Sequence, residues 1–163
     1  MMSIQPEPRL AHSKPFLDWL SDWYTSLPTR DLSGVVEDPA RVALVSVDMV
    51  KGFCNQGPLS SPRVSAIVPA VVRLFRHTHD LGVHHFLLTQ DTHDPNAVEF
   101  AAFVSHCIAG TPESETIDEL DDLPFANLFT VIPKNSISSN IGTALDAWLR
   151  NHADVTTFIV VGD

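Results

Sequence analysis

Several side chains in this 163-residue sequence are of the types that move protons, bind metal ions or form covalent bonds. Asp48 follows the apolar run Val42-Ala43-Leu44-Val45-Ser46-Val47. A carboxylate leaving a buried strand is partly desolvated, which raises its pKa and suits it to carry a proton. An aspartate in that place serves equally well as a turn or helix-capping residue. Asp91 and His93 are two residues apart, so in an extended segment they face the same way and can share one ion. With His106 they form a set of one carboxylate and two imidazoles, a mixture that suits zinc, iron or manganese. In a chain with eight histidines, roughly one Asp-x-His arises by chance, so position carries more weight than the motif. Lys134 follows Val131-Ile132-Pro133. Such a lysine is usually a solvated surface charge, but beside a thiol it would favour the nucleophilic thiolate.

The elements that must position these residues are read from apolar spacing. The runs 42–47, 86–89, 128–132 and 155–161 are short and apolar, and three of them are rich in β-branched residues. They predict four strands. Helical spacing predicts a helix over 64–81, stopped by Gly82, and another over 143–150, where Thr143-x-x-Asp146 resembles a capping box. Strand and helix in alternation predict an α/β fold, a three-layer, mainly parallel sheet with helices on both faces. In such sheets ligands bind beyond the carboxyl ends of the strands. Asp48, Asp91 and Lys134 all fall at predicted carboxyl ends. Residues 1–40 read as a polar, Pro-containing arm to about residue 13, a short helix over 16–23 packed on the domain, and a connection; residues 41–163 read as the domain.

Composition narrows the partners. The apolar fraction of 44% is that of a globular protein. A formal net charge of −10 argues against a nucleic-acid partner. No apolar stretch approaches the roughly 20 residues of a membrane span, and no basic, apolar leader opens the sequence. Two cysteines, Cys54 and Cys107, are too few for a disulfide framework. A cytoplasmic protein with free thiols is the expectation. His84 and His85 begin a strand, at the wrong end of the sheet for the edge carrying Asp48. His77 and His79 read as exposed helix residues, and the acidic stretch 113–122 as a solvated face. No phosphate-cradling glycine loop is present.

Taken together, the segments from Val42 to Gly162 resemble the isochorismatase-like cysteine hydrolases, and within them the metal-dependent nicotinamidases. Asp48 to Phe53 is similar to that family's Asp-x-x-x-x-Phe segment, whose aspartate is the catalytic base. Asp91-Thr92-His93 and His106-Cys107-Ile108-Ala109-Gly110-Thr111 resemble its metal-binding segments, and Lys134 falls where the family keeps its catalytic lysine. The resemblance implies a cysteine amidohydrolase that converts nicotinamide to nicotinate and ammonia through a thioester. It implies one divalent metal, zinc expected and iron or manganese open, held by Asp91, His93 and His106. It also implies a small aromatic carboxamide walled by Phe53 and Phe103, and a homo-oligomer. The nucleophilic cysteine is expected shortly after Gly162, so the chain ending at Asp163 reads as incomplete, and neither Cys54 nor Cys107 is expected to serve. Two departures stand out. Phe103 replaces the family's usual tryptophan, and Glu99 is what the stretch between the metal segments offers in place of a further histidine. The competing readings are a metal-independent amidase acting on a ureido or carbamoyl substrate, and a non-catalytic binding homologue.

Overall fold

The computed structural model of the chain describes the backbone from Pro6 to Asp163 and the side chains from Ser13 onward. The chain divides at Asp31 into two compact units. Among the described residues the first contains one helix, α1 (Pro6–Ser26). It is longer than the helix expected over 16–23, and the arm expected up to residue 13 is helical from Pro6; residues 1–5 of that arm lie outside the described residues.

The second unit, from Leu32 to Asp163, is the α/β domain. Its helices are α2 (Leu32–Val35), α3 (Lys51–Cys54), α4 (Pro62–Asp80), α5 (Asp118–Asp121) and α6 (Leu145–Asn151). Its strands are β1 (Val42–Val47), β2 (His85–Asp91), β3 (Phe129–Lys134) and β4 (Thr157–Gly162). All four strands are parallel, in the order β3-β2-β1-β4. Parallel strands need crossover connections, and α4 and α6 supply two of them.

Alternation along the strands builds two cores. On one face, Val42 and Leu44 of β1 and Phe86 and Leu88 of β2 meet the stripe Val64, Val68, Val71 and Phe75 of α4. Those four recur at the three- and four-residue spacing of one helix face. Phe75 is fully buried, 5.5 Å from the ring of Phe86 and 5.4 Å from that of Phe129. On the other face Ala43, Leu87, Ile132 and Val155 pack with Val45, Leu145 and Trp148. That second layer leaves an open apolar groove of about 280 Å³, where Phe158 and Val160 are exposed.

Helix starts differ from the expected ones for a local reason. Ser61 caps α4 by accepting from the Arg63 N–H, two residues earlier than apolar spacing alone indicates. The Thr143 hydroxyl accepts from the Leu145 N–H, so α6 begins at Leu145 rather than at Thr143, and Asp146 makes no reciprocal cap.

Candidate active site and metal centre

Strand register brings the chemistry together. Val47 of β1 pairs with Thr89, and Asp91 of β2 pairs with Lys134 of β3. Asp48, one residue past β1, therefore arrives at the same carboxyl edge as Asp91 and Lys134. Its backbone is at φ 52°, a left-handed conformation uncommon for a non-glycine residue. Such conformations persist where surrounding contacts over-determine them. Here the Asp48 N–H donates to the Thr89 carbonyl at 2.9 Å, and Asp48 Oδ1 accepts from the Asp91 N–H at 2.9 Å.

Lys134 is only 2% exposed, and its ammonium donates to both aspartates. Its Nζ lies 2.8 Å from Asp48 Oδ2 and is also hydrogen-bonded to Asp91 Oδ1. Burial pulls the ammonium pKa down, but the hydrogen bonds to Asp48 and Asp91 outweigh it and the net shift is upward. Asp48 is pushed above the ordinary carboxylate range by burial and by the charge of Asp91, with Lys134 opposing. A solvated surface lysine is thus replaced by a buried ammonium shared between two carboxylates.

The second oxygen of Asp91 faces the imidazoles. Asp91 Oδ2 lies 3.3 Å from His93 Nε2 and 3.6 Å from His106 Nε2. His106 Nδ1 lies 2.8 Å from the Val104 carbonyl, to which it donates, which leaves Nε2 as the ring atom that faces Asp91. Both ring nitrogens of His93 are buried without a hydrogen-bond partner. A buried polar atom left unpaired is costly and asks for an explanation. One candidate ligand atom from each of the three residues falls within 4.8 Å of the others. Tetrahedral ligands about 2.0–2.1 Å from zinc stand roughly 3.3–3.4 Å apart, close to the two separations seen here. Charge agrees as well: two carboxylates and one ammonium leave a net negative charge in a buried place, and a divalent cation offsets it. The residues therefore fit a metal ion.

Two residues not assigned from sequence join this cluster. The 3₁₀ turn Val98–Ala101 brings the Glu99 carboxylate to 4.0 Å from His93 Nε2 and 3.9 Å from His106 Nε2. The same turn sets Phe100 against both imidazoles, at ring separations of 5.3 and 5.6 Å. Only the occurrence of Glu99 between the metal segments hinted at this. Phe53, on α3, lies 5.7 Å from the His106 ring. Phe103 is 55% exposed and lines a neighbouring cavity of about 480 Å³ with Val98, Glu99, Asn135, Ser136 and Ile137. Among the aromatic side chains between Asp91 and His106, Phe100 rather than Phe103 makes the ring contacts to the histidines.

The thiols stand apart from this arrangement. Both are buried. Burial, with nearby carboxylates adding, raises Cys54 to about 11 and Cys107 to about 12, so neither is a thiolate at neutral pH. The acidic side chains of the stretch are exposed apart from the half-buried Glu113, as expected of a solvated face. Lys51 pairs with Glu115 at 2.8 Å and Asp118 at 2.9 Å, and Glu113 accepts from the Cys107 N–H.

Comparison with known proteins matches this architecture. The family profile described as Isochorismatase domain matches residues 42–162. Nicotinamidase 1 of Arabidopsis thaliana is 30% identical over 115 residues, covering 67% of this chain and 46% of that protein, so the chain spans about half the length of this curated relative. Among solved structures, N-carbamoylsarcosine amidase from Thermoplasma acidophilum is 29% identical with a TM-score of 0.65, over 75% of this chain and 67% of that one. Pyrazinamidase of Pyrococcus horikoshii, solved in complex with zinc, is 26% identical with a TM-score of 0.64, over 76% and 70%. The matched span begins with β1 and closes with β4, and so contains the whole sheet and the edge bearing Asp48, Asp91 and Lys134: the chain belongs to the isochorismatase-like hydrolase family.

Proposed function

We propose that the protein is a metal-dependent cysteine amidohydrolase of the nicotinamidase type, releasing ammonia from a small aromatic carboxamide through a thioester. The observation that carries this reading is the buried Asp91, whose two oxygens serve Lys134 on one side and the His93–His106 pair on the other. Asp91, His93 and His106 would hold one divalent ion, with Glu99 close enough to contribute. When bound, that ion would orient an aromatic ring through a ring nitrogen. Phe53 and Phe103 are assigned as the walls of the ring pocket.

Asp48 is assigned as the proton carrier. Its raised pKa suits it to accept a thiol proton and return it to the leaving ammonia. Lys134 is assigned to hold the resulting thiolate. We assign the nucleophile to a cysteine shortly beyond Asp163. The geometry supporting this is β4, which runs alongside β1 to Val47 and ends with the Asp163 N–H donating to the Val47 carbonyl at 3.2 Å. A following cysteine would meet Asp48 and Lys134. The expected compartment is the cytoplasm; among the described residues no helix is long and apolar enough to cross a membrane.

A second reading, cleavage of a ureido or carbamoyl substrate, is favoured by the 29% identity to N-carbamoylsarcosine amidase. Ammonia release by the full-length protein decides between them. Activity on nicotinamide, lost on removal of metal, is the expected outcome. Activity on a carbamoyl amino acid with none on nicotinamide would transfer the assignment to the second reading.

A further inference from the structure

The loop that carries His106 is held by a carboxylate that the proposed reaction does not use. Cys107, the next residue, has φ 43°, in the left-handed region that non-glycine residues rarely enter. Such a conformation persists where neighbouring contacts impose it. Both backbone polar groups of Cys107 are engaged. Its carbonyl accepts from the His93 N–H at 2.9 Å, and the Ala109 N–H donates to the His93 carbonyl at 2.9 Å, so this short stretch ties one imidazole-bearing segment to the other. Its N–H donates to Glu113 Oε2 at 3.1 Å. Two tight turns return the chain for that bond: the Thr111 N–H donates to the Ile108 carbonyl at 3.0 Å, and the Ser114 N–H to the Thr111 carbonyl at 3.1 Å.

Glu113 also sits in a place shaped for it. A Cβ at Gly57 would stand 2.7 Å from Glu113 Cδ, and one at Gly52 would stand 3.2 Å from Glu113 Cβ. Two glycines thus leave room for one half-buried carboxylate, whereas Glu115, Asp118 and Glu119 beside it are exposed. A solvated surface charge needs no such room.

We infer that Glu113 is a positioning residue for the metal site: by holding the Cys107 N–H it fixes the left-handed turn there, and so sets the His93 and His106 rings against Asp91. This rests on the metal-dependent reading above. Glu113 is not one of the three candidate ligands, and it acts through the backbone between them. A carboxylate accepting from a backbone N–H makes a charge-assisted bond, stronger than a neutral one.

Chelator competition for zinc on the full-length protein tests this, with the visible spectrum of the cobalt(II)-loaded protein as a second readout. Glu113→Ala should weaken zinc binding by about 10–100-fold and shift the cobalt bands, as loss of a group that orients metal ligands does. Glu113→Asp keeps the charge but is one methylene too short to reach the Cys107 N–H, so it should weaken binding in the same way. Glu113→Gln keeps the reach and an acceptor oxygen, so it should restore most of the affinity. The contrast between the Asp and Gln substitutions holds even if Glu113→Ala fails to fold. Wild-type affinity in Glu113→Ala or Glu113→Asp overturns the inference. So does Glu113→Gln binding as weakly as Glu113→Ala, which would make charge rather than the hydrogen bond the cause. In each of these the wild type takes up zinc; a wild type that takes up none overturns the metal-dependent reading itself, and this inference with it.

Discussion

Lys134 is the residue on which the catalytic edge balances. Its ammonium is the only cation in direct contact with Asp48 and Asp91 among the described residues. Lys134→Met removes it and leaves two carboxylates buried together. Loss of one partner of a buried ion pair costs about 3–5 kcal/mol, so denaturant unfolding should show a drop of that size. Asp48→Asn keeps the shape and removes a charge, so its effect should fall on chemistry: kcat/KM of the full-length enzyme should fall by about 10²–10⁴ with a smaller change in stability. His93 offers a separate test. Neither of its ring nitrogens has a hydrogen-bond partner, and Nε2 faces Asp91 Oδ2 at 3.3 Å. His93→Ala should abolish stoichiometric metal in elemental analysis, together with the rise in melting temperature on adding zinc. At Cys54 the prediction concerns pH. An unfolded thiol titrates near 8.5, whereas burial holds the folded one at about 11. Across that window the folded state keeps a proton that the unfolded state has lost. Stability therefore falls as pH rises between about 8.5 and 11. Cys54→Ala should make that alkaline fall in unfolding free energy shallower, leaving the part due to Cys107, whose thiol burial holds at about 12; an unchanged slope would show that the Cys54 thiol does not contribute.

Among the elements, α3 is held by a close backbone approach. A Cβ at Gly52 would stand 2.5 Å from Cys107 Sγ and 2.8 Å from the Glu113 carbonyl oxygen. Gly52 thus lets α3 press against the segment that carries His106. Gly52→Ala should cost about 1–3 kcal/mol by overpacking and also weaken metal binding, read by melting in the presence of a zinc series. The strands were legible because their apolar runs are short, mostly β-branched and bounded by turn residues. Helix ends were not, because caps such as Ser61 set them. The turn Val98–Ala101 was invisible, since three-residue spacing over four residues leaves no periodic signal.

For the whole molecule, family membership fixes the α/β sheet, and hydrolysis of an amide is the proposed chemistry that rests on it. Nicotinamide hydrolysis by the full-length protein should collapse on chelation and return with added zinc. Chelation that leaves turnover unchanged would remove the metal from the reaction. Such metal dependence distinguishes the proposed reading from the carbamoyl one at the level of the complete enzyme.

The carboxyl-edge positions of Asp48, Asp91 and Lys134 were determined by sequence alone. A strand's end is a local property, written in where the apolar run stops, and parallel strands share one carboxyl edge. The pairing of Asp91 with His93 was likewise local, because a period of two follows from extended backbone. What tertiary structure decided is how each group is used. That Lys134 is buried between two carboxylates depends on the register of β2 and β3, with Asp91 directly beside it. That Glu99 and Phe100, rather than Phe103, meet the imidazoles depends on how an irregular loop folds back over the sheet edge. Burial and register arise from contacts between residues 40 or more positions apart, as with Asp48, Asp91 and Lys134, and no local pattern encodes them.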